Sequence, residues 1–405
     1  MHNSLTNVTF LKKASTSEFS DFINQPPLVP FDDETIDYLN ALSKVIRKDP
    51  ILRNYPDVAT FAFFCRESNI NQLKKRYSNT NSFKLGRGVI FHISPSNVPI
   101  NFAFSLVSGL LSGNVNIVRV PSKVFEQVNI VVNAINELSK NKKYHMISNR
   151  ILLVQYDRNS DATRFFSSHC DVRIIWGGDE TIQHIRNHPI PSKSFDITFA
   201  DRYSISAINT NELISSKAKI DPLVNGFYND TFLFDQNACT APHLIVWLGS
   251  KKNIENTKTI FWNRLNEIVQ KEYVLNPISA VKKLTTFFSQ CIEIKNTRIV
   301  KGKNNLIWRA EINKLDKRID EFRCNSGYFS EYTASSLNEL SLIINRKYQT
   351  LSYYGLSKEN IHEFLKRVTP VGIDRIVPIG RTLEFSLTWD SYNLIESLSR
   401  NIEIL

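Results

Sequence analysis

Between Gly86 and Arg186 the sequence repeats one pattern, a short β-branched or aromatic run followed by an amphipathic stretch. The pattern predicts strands over residues 89–93, 115–120, 150–155 and 171–176, and helices over residues 100–111, 123–138 and 179–186. Strands of this length that alternate with helices are typical of βαβ units, which form a mostly parallel sheet with helices on both faces. The repeat therefore predicts an α/β, doubly wound fold. Ligands of such sheets bind beyond the carboxyl ends of the strands.

The region before this repeat, residues 1 to about 80, has a mainly helical pattern with a Pro-rich interruption at Pro26-Pro27 and Pro30. Asp32-Asp33-Glu34 then predicts the start of a helix that continues through Ile46, because acidic side chains stabilise the first turn of a helix. We therefore expect a helical N-terminal region ahead of the sheet.

The charge balance limits the classes of partner. The chain has 405 residues and a net charge of +11, from 50 basic and 39 acidic side chains. Its basic residues are scattered and are not interleaved with aromatic residues, as they would be in an RNA-binding platform. The pattern favours a solvated, basic surface over a nucleic-acid site.

The five cysteines, Cys65, Cys170, Cys239, Cys291 and Cys324, are far apart, odd in number and without a CxxC pair. This spacing argues against a disulfide framework and against a zinc site, so we expect free thiols and no metal. The start of the chain lacks a basic segment followed by an apolar one, and the apolar runs are too short to span a bilayer. We expect a cytoplasmic protein with no membrane span.

Three loops that follow predicted strands can approach a phosphate or a ribose. They are Ser94–Pro99, Arg119–Lys123 and Gly177–Thr181. Each precedes a predicted helix, whose free backbone N–H groups attract anions. Gly, Ser and Pro also make ordinary turns in every fold of this class, so each loop alone is weak support. The chain has neither GxGxxG nor a Walker A sequence.

Cys239 is the candidate nucleophile. The run Thr231–Phe234 predicts a short buried strand, Asp235 or Asn237 can cap a helix that begins beside the cysteine, and His243–Trp247 predicts its continuation. A thiol in the first turn of a helix is stabilised as the reactive thiolate. His243 would share a helix face with Cys239, as a possible proton donor or, more commonly, a structural histidine. The alternative for Cys239 is a small buried hydrophobic residue.

These segments, read in order, resemble the aldehyde dehydrogenase superfamily, and most closely its LuxC-type acyl-CoA reductase branch. The resemblance covers residues 85 to 400 and rests on Gly88–Pro99, Leu111–Ser122, Ile174–Ile182, Asp235–Cys239, Tyr348–Leu351, and Gly372–Arg381 with Trp389-Asp390. It implies an aldehyde-dehydrogenase-like α/β fold with two doubly wound parallel-sheet domains, one for the cofactor and one for catalysis. It also implies that Cys239 attacks an acyl thioester and that the enzyme thioester is reduced to an aldehyde.

The resemblance assigns further site residues. Asn97 would donate its side-chain amide to the oxyanion beside the Cys239 backbone N–H, although without the family it reads as a turn residue. Cofactor binding falls to Ser94, Pro95, Arg119, Ser122, Gly177 and Gly178.

Two departures from the family pattern refine the expected function. Arg119 stands where the superfamily usually has Lys, and because a guanidinium can bind phosphate bidentately, it favours NADPH. The general-base Glu of hydrolytic aldehyde dehydrogenases should fall near Thr198–Asp201, where Phe199 aligns best and no Glu occurs. Without that base the thioester is not hydrolysed, as is expected of a reductase. Asp201 is a carboxylate that neighbours this position.

The expected activity is therefore NADPH-dependent reduction of a fatty acyl-CoA, or of an acylated partner protein, to the aldehyde. Two alternatives remain: an acyl-phosphate reductase of the glutamyl-phosphate type, and a non-catalytic basic binding protein on the same fold. The expected domains are residues 1–84 (helical), 85–230 (cofactor) and 231–360 (catalytic cysteine). The segment 361–405 would support a homo-oligomer or return to the cofactor domain.

Overall fold

The computed structural model of the chain describes residues 5, 7–13, 19–77, 82–96, 98–213, 220–300, 302 and 304–404. They form two compact units, one made of the described residues up to Ala200 and from Ser386 onward, the other of Asp201–Phe385. The boundaries expected from the sequence, at residues 84, 230 and 360, differ from this division. The assignment of the cofactor to the first unit and of catalysis to the second stays a prediction.

The helices are α1 Phe19–Ile23, α2 Asp33–Lys48, α3 Pro56–Phe64, α4 Glu67–Tyr77, α5 Asn101–Leu111, α6 Glu126–Ser139, α7 His145–Ser148, α8 Ala162–Ser167, α9 Asp179–Arg186, α10 Ile220–Phe232, α11 Lys251–Glu272, α12 Pro277–Glu293, α13 Lys358–Val368 and α14 Leu394–Leu398. The strands are β1 Thr9–Lys12, β2 Phe83–Gly86, β3 Val89–Ile93, β4 Val115–Arg119, β5 Ile151–Gln155, β6 Val172–Trp176, β7 Phe195–Phe199, β8 Tyr203–Asn209, β9 Pro242–Leu248, β10 Arg298–Val300, β11 Trp308–Glu311, β12 Tyr328–Ala334, β13 Tyr348–Tyr354, β14 Arg375–Pro378, β15 Thr388–Trp389, β16 Tyr392–Asn393 and β17 Ser399–Ile402.

The first unit contains a six-stranded sheet with the order β1-β5-β4-β3-β6-β7, in which only β1 runs antiparallel to its neighbour. The four strands and three helices predicted between residues 89 and 186 are confirmed. The chain moves from β3 to β4 and β5 on one side and then places β6 on the other, so the order reverses at β3. In open α/β sheets the ligand crevice lies at such a reversal.

The N-terminal helical prediction is confirmed for α2. Its N-cap is Asp32, whose carboxylate accepts hydrogen bonds from the backbone N–H groups of Glu34 (3.1 Å) and Thr35 (3.3 Å). These bonds satisfy donors that have no partner inside the helix. The strand β1 was not expected from the sequence.

A buried polar network ties the central strands of this sheet to α5. His92 Nδ1 lies 2.7 Å from Ser105 Oγ and Nε2 lies 3.0 Å from Asn116 Oδ1, while Trp176 Nε1 donates to Ser105 Oγ at 3.1 Å. Burial lowers the pKa of His92 to about 4, so the ring is neutral at physiological pH. The network fixes β3, β4 and β6 relative to one another beneath the loops that follow them.

The second unit contains a seven-stranded sheet with the order β10-β11-β12-β9-β8-β13-β14, parallel except for the β10–β11 pair. Apolar clusters cover both faces of this sheet, and every residue of β9 is buried. Strands buried on both faces read as continuous apolar runs rather than as alternating ones. This explains why Pro242–Leu248 lacks the alternation that marks a half-buried strand.

The last residues return to the first unit, where β17 pairs antiparallel with β2. Within the part of the chain that the structure describes, no helix has the length and apolarity needed to cross a membrane.

Candidate active site

Cys239 lies in a turn that leads into β9, and this corrects the local prediction. Thr231 and Phe232 belong to the end of α10 rather than to a strand, and Pro242–Leu248 is a strand rather than a helix. Thr231 Oγ1 donates to the carbonyl oxygen of Phe227 at 2.6 Å, a back-bond typical of a hydroxyl within a helix. Cys239 is therefore not in the first turn of a helix, and the helix dipole does not activate it.

Gln236 anchors the loop that carries Cys239. Its side-chain N–H₂ donates to the carbonyl oxygens of Pro242 and Tyr328, both at 3.0 Å. Its side-chain oxygen accepts from the backbone N–H groups of Gly327 (2.9 Å) and Tyr328 (3.2 Å). Because the amide is buried and uses donors and acceptors together, it joins the cysteine loop to the start of β12 and β9.

Asp235 and Asn237 brace the same loop instead of capping a helix. Asp235 and Gln236 adopt left-handed backbone conformations, with φ of 53° and 57°. Such conformations are unfavourable for residues with a side chain and need compensating contacts. Asp235 Oδ1 accepts hydrogen bonds from Ser326 Oγ at 2.8 Å and from the Tyr273 hydroxyl, and Asn237 Nδ2 donates to the carbonyl oxygen of Phe234 at 3.1 Å.

Two side chains from the sheet hold Cys239 itself, which is half-buried. Ser204 Oγ, at the start of β8, donates to the Cys239 carbonyl oxygen at 2.7 Å. Gln349 Nε2, on β13, donates to the Cys239 sulfur at 3.4 Å. Both contacts join residues far apart in the sequence, so only the folded sheet creates them.

Arg375, the first residue of β14, brings a positive charge into this site. Its guanidinium donates to the carbonyl oxygens of Arg381 (3.1 Å), Thr382 (2.8 Å) and Glu384 (2.6 Å), and it interacts electrostatically with Cys239. Burial lowers the pKa of Arg375, although an arginine stays charged in proteins. A fixed positive charge stabilises a nearby thiolate. Neither Gln349 nor Arg375 was predicted from the sequence as a site residue, although each lies in a segment that supports the family resemblance.

Asp230 of α10 binds the loop whose carbonyl oxygens accept hydrogen bonds from Arg375. The Asp230 carboxylate accepts from the backbone N–H groups of Gly380 (2.6 Å) and Thr382 (3.0 Å). Burial raises the pKa of Asp230 to about 6. The protonation of one carboxyl group is therefore linked to the conformation of the loop whose carbonyl groups bind Arg375.

The thiol pKa values of the other four cysteines are all raised. Burial raises the pKa of the Cys170 thiol to about 12 and also raises the pKa values of Cys65, Cys291 and Cys324. Thiols of this kind remain protonated and unreactive at neutral pH.

His243 does not share a helix face with Cys239, because it lies in β9. Its ring stacks on Tyr203 with centroids 5.7 Å apart. Burial, assisted by the charge of Arg323, lowers the pKa of His243 to about 3. The imidazole is therefore neutral near pH 7 and serves as packing.

The segment where a general base was sought carries no free carboxylate among the described residues. Phe199 ends β7, and its ring stacks on Trp176 with centroids 3.7 Å apart. The Asp201 carboxylate accepts a hydrogen bond from the Arg323 guanidinium and lies 3.9 Å from Lys347 Nζ. Both oxygens of the Asp201 carboxylate thus face a cationic side chain.

The predicted cofactor residues gather at one edge of the first sheet. Ser94 and Pro95 follow β3, Arg119 ends β4, and Gly177-Gly178 follows β6. These three strands are adjacent and parallel, and β3 is the point where the strand order reverses. Ser122 is exposed in the loop after β4, and Asn97 lies outside the described residues.

Three observations at this edge fit a dinucleotide. Ser94 Oγ is buried and has no hydrogen-bond partner among the described residues. A Cβ atom added at Gly178 would meet no atom within 4 Å, so the fold does not itself require glycine there. Arg119 donates to the Tyr156 carbonyl oxygen at 3.1 Å and lies over the Tyr156 ring, which positions its charge beside the same edge.

The fold is that of the aldehyde dehydrogenases. Lactaldehyde dehydrogenase from Escherichia coli matches with a TM-score of 0.62 and 13% identity, over 95% of this chain and 87% of that one. A 1-pyrroline-5-carboxylate dehydrogenase from Thermus, solved with bound NAD, matches with a TM-score of 0.60 and 12% identity, over 93% and 78%.

The sequence model described as acyl-CoA reductase (LuxC) matches residues 25–286, more than half of the chain, so the chain belongs to the LuxC acyl-CoA reductase family. It is 22% identical over 307 residues to the long-chain acyl-protein thioester reductase of Aliivibrio fischeri, covering 73% of this chain and 58% of that protein. It is 26% identical over 167 residues to the reductase of that name from Vibrio harveyi, covering 41% and 33%. The chain thus matches 58% or less of the length of these relatives.

Proposed function

We propose that the chain catalyses the NADPH-dependent reduction of a long-chain acyl thioester to the aldehyde, through a thioester formed on Cys239. The observation that carries the proposal is the Cys239 sulfur, which accepts a hydrogen bond from Gln349 and lies in the field of Arg375. Family membership and the aldehyde dehydrogenase fold support it.

In the first step, the Cys239 thiolate attacks the carbonyl carbon of the acyl donor. A new C–S bond forms, the C–S bond of the donor breaks, and the departing thiolate takes a proton from solvent. The oxyanion of the tetrahedral intermediate needs donors, and we assign them to the Asn97 side chain and the Cys239 backbone N–H. Loss of one such donor costs about 2.7–4 kcal/mol of transition-state stabilisation.

A bound nicotinamide cofactor supplies the hydride that reduces the enzyme thioester. We assign its contacts to Ser94, Arg119 and the backbone at Gly178, with Pro95, Ser122 and Gly177 on the surrounding loops. Reduction would break the bond between the acyl carbon and the Cys239 sulfur, release the aldehyde, and return Cys239 as a thiol after proton uptake from solvent. The ion-paired state of Asp201 supports reduction over hydrolysis, because a water molecule needs a base to attack the thioester.

The acyl donor is either acyl-CoA or an acyl-protein thioester. The family name favours the first, and the names of the two relatives favour the second. Both donors present the same thioester carbonyl to Cys239, so one mechanism serves both.

The test is a single-turnover incubation with alkyne-tagged palmitoyl-CoA and, separately, with the same acyl group on an acyl carrier protein. Wild type should retain the tag on Cys239 and release it as aldehyde when NADPH is added. Cys239→Ala should retain none, whereas Cys291→Ala, which removes another half-buried thiol, should behave as wild type. Labelling from an acyl phosphate, with none from either thioester, would replace the proposal by the acyl-phosphate alternative.

A further inference from the structure

The pairing of β13 with β8 contains a β-bulge beside Cys239. Tyr348 pairs with Tyr203 and Leu351 pairs with Ile205, so Gln349 and Thr350 together lie opposite Ser204. Bulges are uncommon between parallel strands and are enriched next to active sites, where they redirect a side chain. Here the bulge contains Gln349, whose side-chain amide contacts the Cys239 sulfur.

The residues at the bulge orient the Gln349 amide. Thr350 donates its backbone N–H to Ser204 Oγ at 3.2 Å, and Ser204 Oγ donates in turn to the Cys239 carbonyl oxygen. The Thr350 hydroxyl donates to Gln349 Oε1 at 3.4 Å, which leaves Nε2 directed at the Cys239 sulfur. Gln349 is only 1% exposed, so water does not compete strongly with this bond.

The positive charge near Cys239 belongs to Arg375 of β14, the strand next to β13. In the register of β13 and β14, Thr350 pairs with Arg375. The guanidinium of Arg375 interacts electrostatically with Cys239 and is held by the carbonyl oxygens of residues 381, 382 and 384. Because burial excludes part of the water, its field acts on the sulfur with less screening than at a surface.

We propose that Gln349 is a catalytic residue that hydrogen-bonds the Cys239 thiolate, and that Arg375 is a positioning residue that stabilises the same anion through its field. This inference deepens the proposed function and rests on the role of Cys239 given there. The thiol proton passes to solvent, and the amide N–H and the guanidinium charge stabilise the sulfur anion that remains. The pair supplies what the helix dipole was expected to supply from the sequence.

The test measures the rate at which iodoacetamide alkylates Cys239 as a function of pH, with the modified peptide quantified by mass spectrometry. No acyl donor or cofactor is needed, so the result is independent of whether the proposed reaction occurs. The wild-type midpoint should lie at least about one pH unit below the ordinary thiol value of about 8.5. Near-isosteric Gln349→Met should raise the midpoint by about one unit, which means tenfold less thiolate at neutral pH.

Gln349→Glu should raise the pH midpoint of Cys239 alkylation further, because a carboxylate would lie against the thiolate. Arg375→Gln should raise the midpoint as well. The matched control is Arg367→Gln, which removes an exposed arginine of α13 that pairs with Glu363 and should leave the midpoint unchanged. Near-UV circular dichroism and a thermal melt would show which variants fold. An unchanged midpoint in folded Gln349→Met and Gln349→Glu overturns the role of Gln349. If neither folds, a wild-type midpoint at or above 8.5 overturns it.

Discussion

The hydroxyl of Ser204 donates a 2.7 Å hydrogen bond to the carbonyl oxygen of Cys239 and accepts the backbone N–H of Thr350. One buried side chain thus joins the nucleophile loop, β8 and β13. Ser204 also lies where β9 changes register, since it pairs with Pro242 while Ile205 pairs with Leu244. Two neighbouring strands are therefore irregular at the same level of the sheet, which is the level of Cys239.

Ser204→Ala should both destabilise the fold and slow the chemistry. The substitution leaves the Cys239 carbonyl and the Thr350 N–H without this partner, and a buried unsatisfied group costs about 1–3 kcal/mol. We expect the free energy of unfolding in urea to fall by about 2 kcal/mol and the acylation of Cys239 to slow. Ser206→Ala is the matched control, because Ser206 lies on the same face of β8 and hydrogen-bonds Ser352 instead. Equal loss of acylation in both folded variants would contradict the assignment.

Gln236→Leu should detach the cysteine loop. Four hydrogen bonds depend on this amide, and the partners are backbone groups that have no access to water in the interior. We expect a loss of about 3 kcal/mol in urea unfolding, together with loss of selective alkylation at Cys239. Gln290→Leu removes another buried amide, bound to Ser330 and Tyr328, and should lower stability while leaving the alkylation of Cys239 intact.

Asp230 should make stability depend on pH. Its pKa is raised to about 6 in the folded state, so it contributes stability that is fully present below the unfolded value of about 3.8 and lost as the pH rises through 6. The difference in unfolding free energy between wild type and Asp230→Asn should fall by about 2 kcal/mol from pH 4.5 to 7.5. Asp221→Asn, which removes an exposed carboxylate from the same helix, is the matched control. If the difference in unfolding free energy between wild type and Asp230→Asn did not change with pH, the raised pKa of Asp230 would be wrong.

The strands and helices of the first unit could be predicted from the sequence because each is marked by a pattern within its own segment. Each strand from β3 to β6 is a short apolar run, and helices such as α9 carry a 3.6-residue apolar period bounded by glycine and acidic residues. The cysteine segment lacks such a period. Thr231–Phe234 and Pro242–Leu248 are both short and apolar, and runs of this length do not distinguish a helix from a buried strand. The β-branched pair Ile245-Val246, followed by Trp247, was the available signal for β9.

The partners of Cys239 could not be predicted by local reasoning. Gln349 reaches the sulfur at a bulge in β13, and Arg375 interacts electrostatically with Cys239 from β14, which pairs with that strand. Register and strand order are properties of the assembled sheet and are absent from a single segment. The family resemblance included both segments but assigned neither residue a role.

Gly178→Ala should separate cofactor binding from folding. The backbone at Gly178 has φ of −69°, which alanine adopts easily, and its Cβ would enter open space. We expect unchanged stability or a gain of about 0.4–1 kcal/mol, since alanine restricts the unfolded chain. If the cofactor phosphates approach this backbone, the added methyl group should weaken NADPH binding at least about tenfold, because a contact at α9 is lost. Isothermal titration calorimetry measures that affinity.

Gly177→Ala provides the comparison for this prediction. A Cβ there would lie 3.2 Å from Thr181 Cγ2, so its cost should appear in the thermal melt. In both variants the alkylation of Cys239 should proceed as in wild type, which shows that the second unit is intact. A folded Gly178→Ala protein with wild-type affinity for NADPH, and equally for NADH, would remove the β6–α9 loop from the cofactor site. The remaining candidates would then be Ser94 and Pro95, which follow β3, and Arg119 and Ser122, at and after the end of β4.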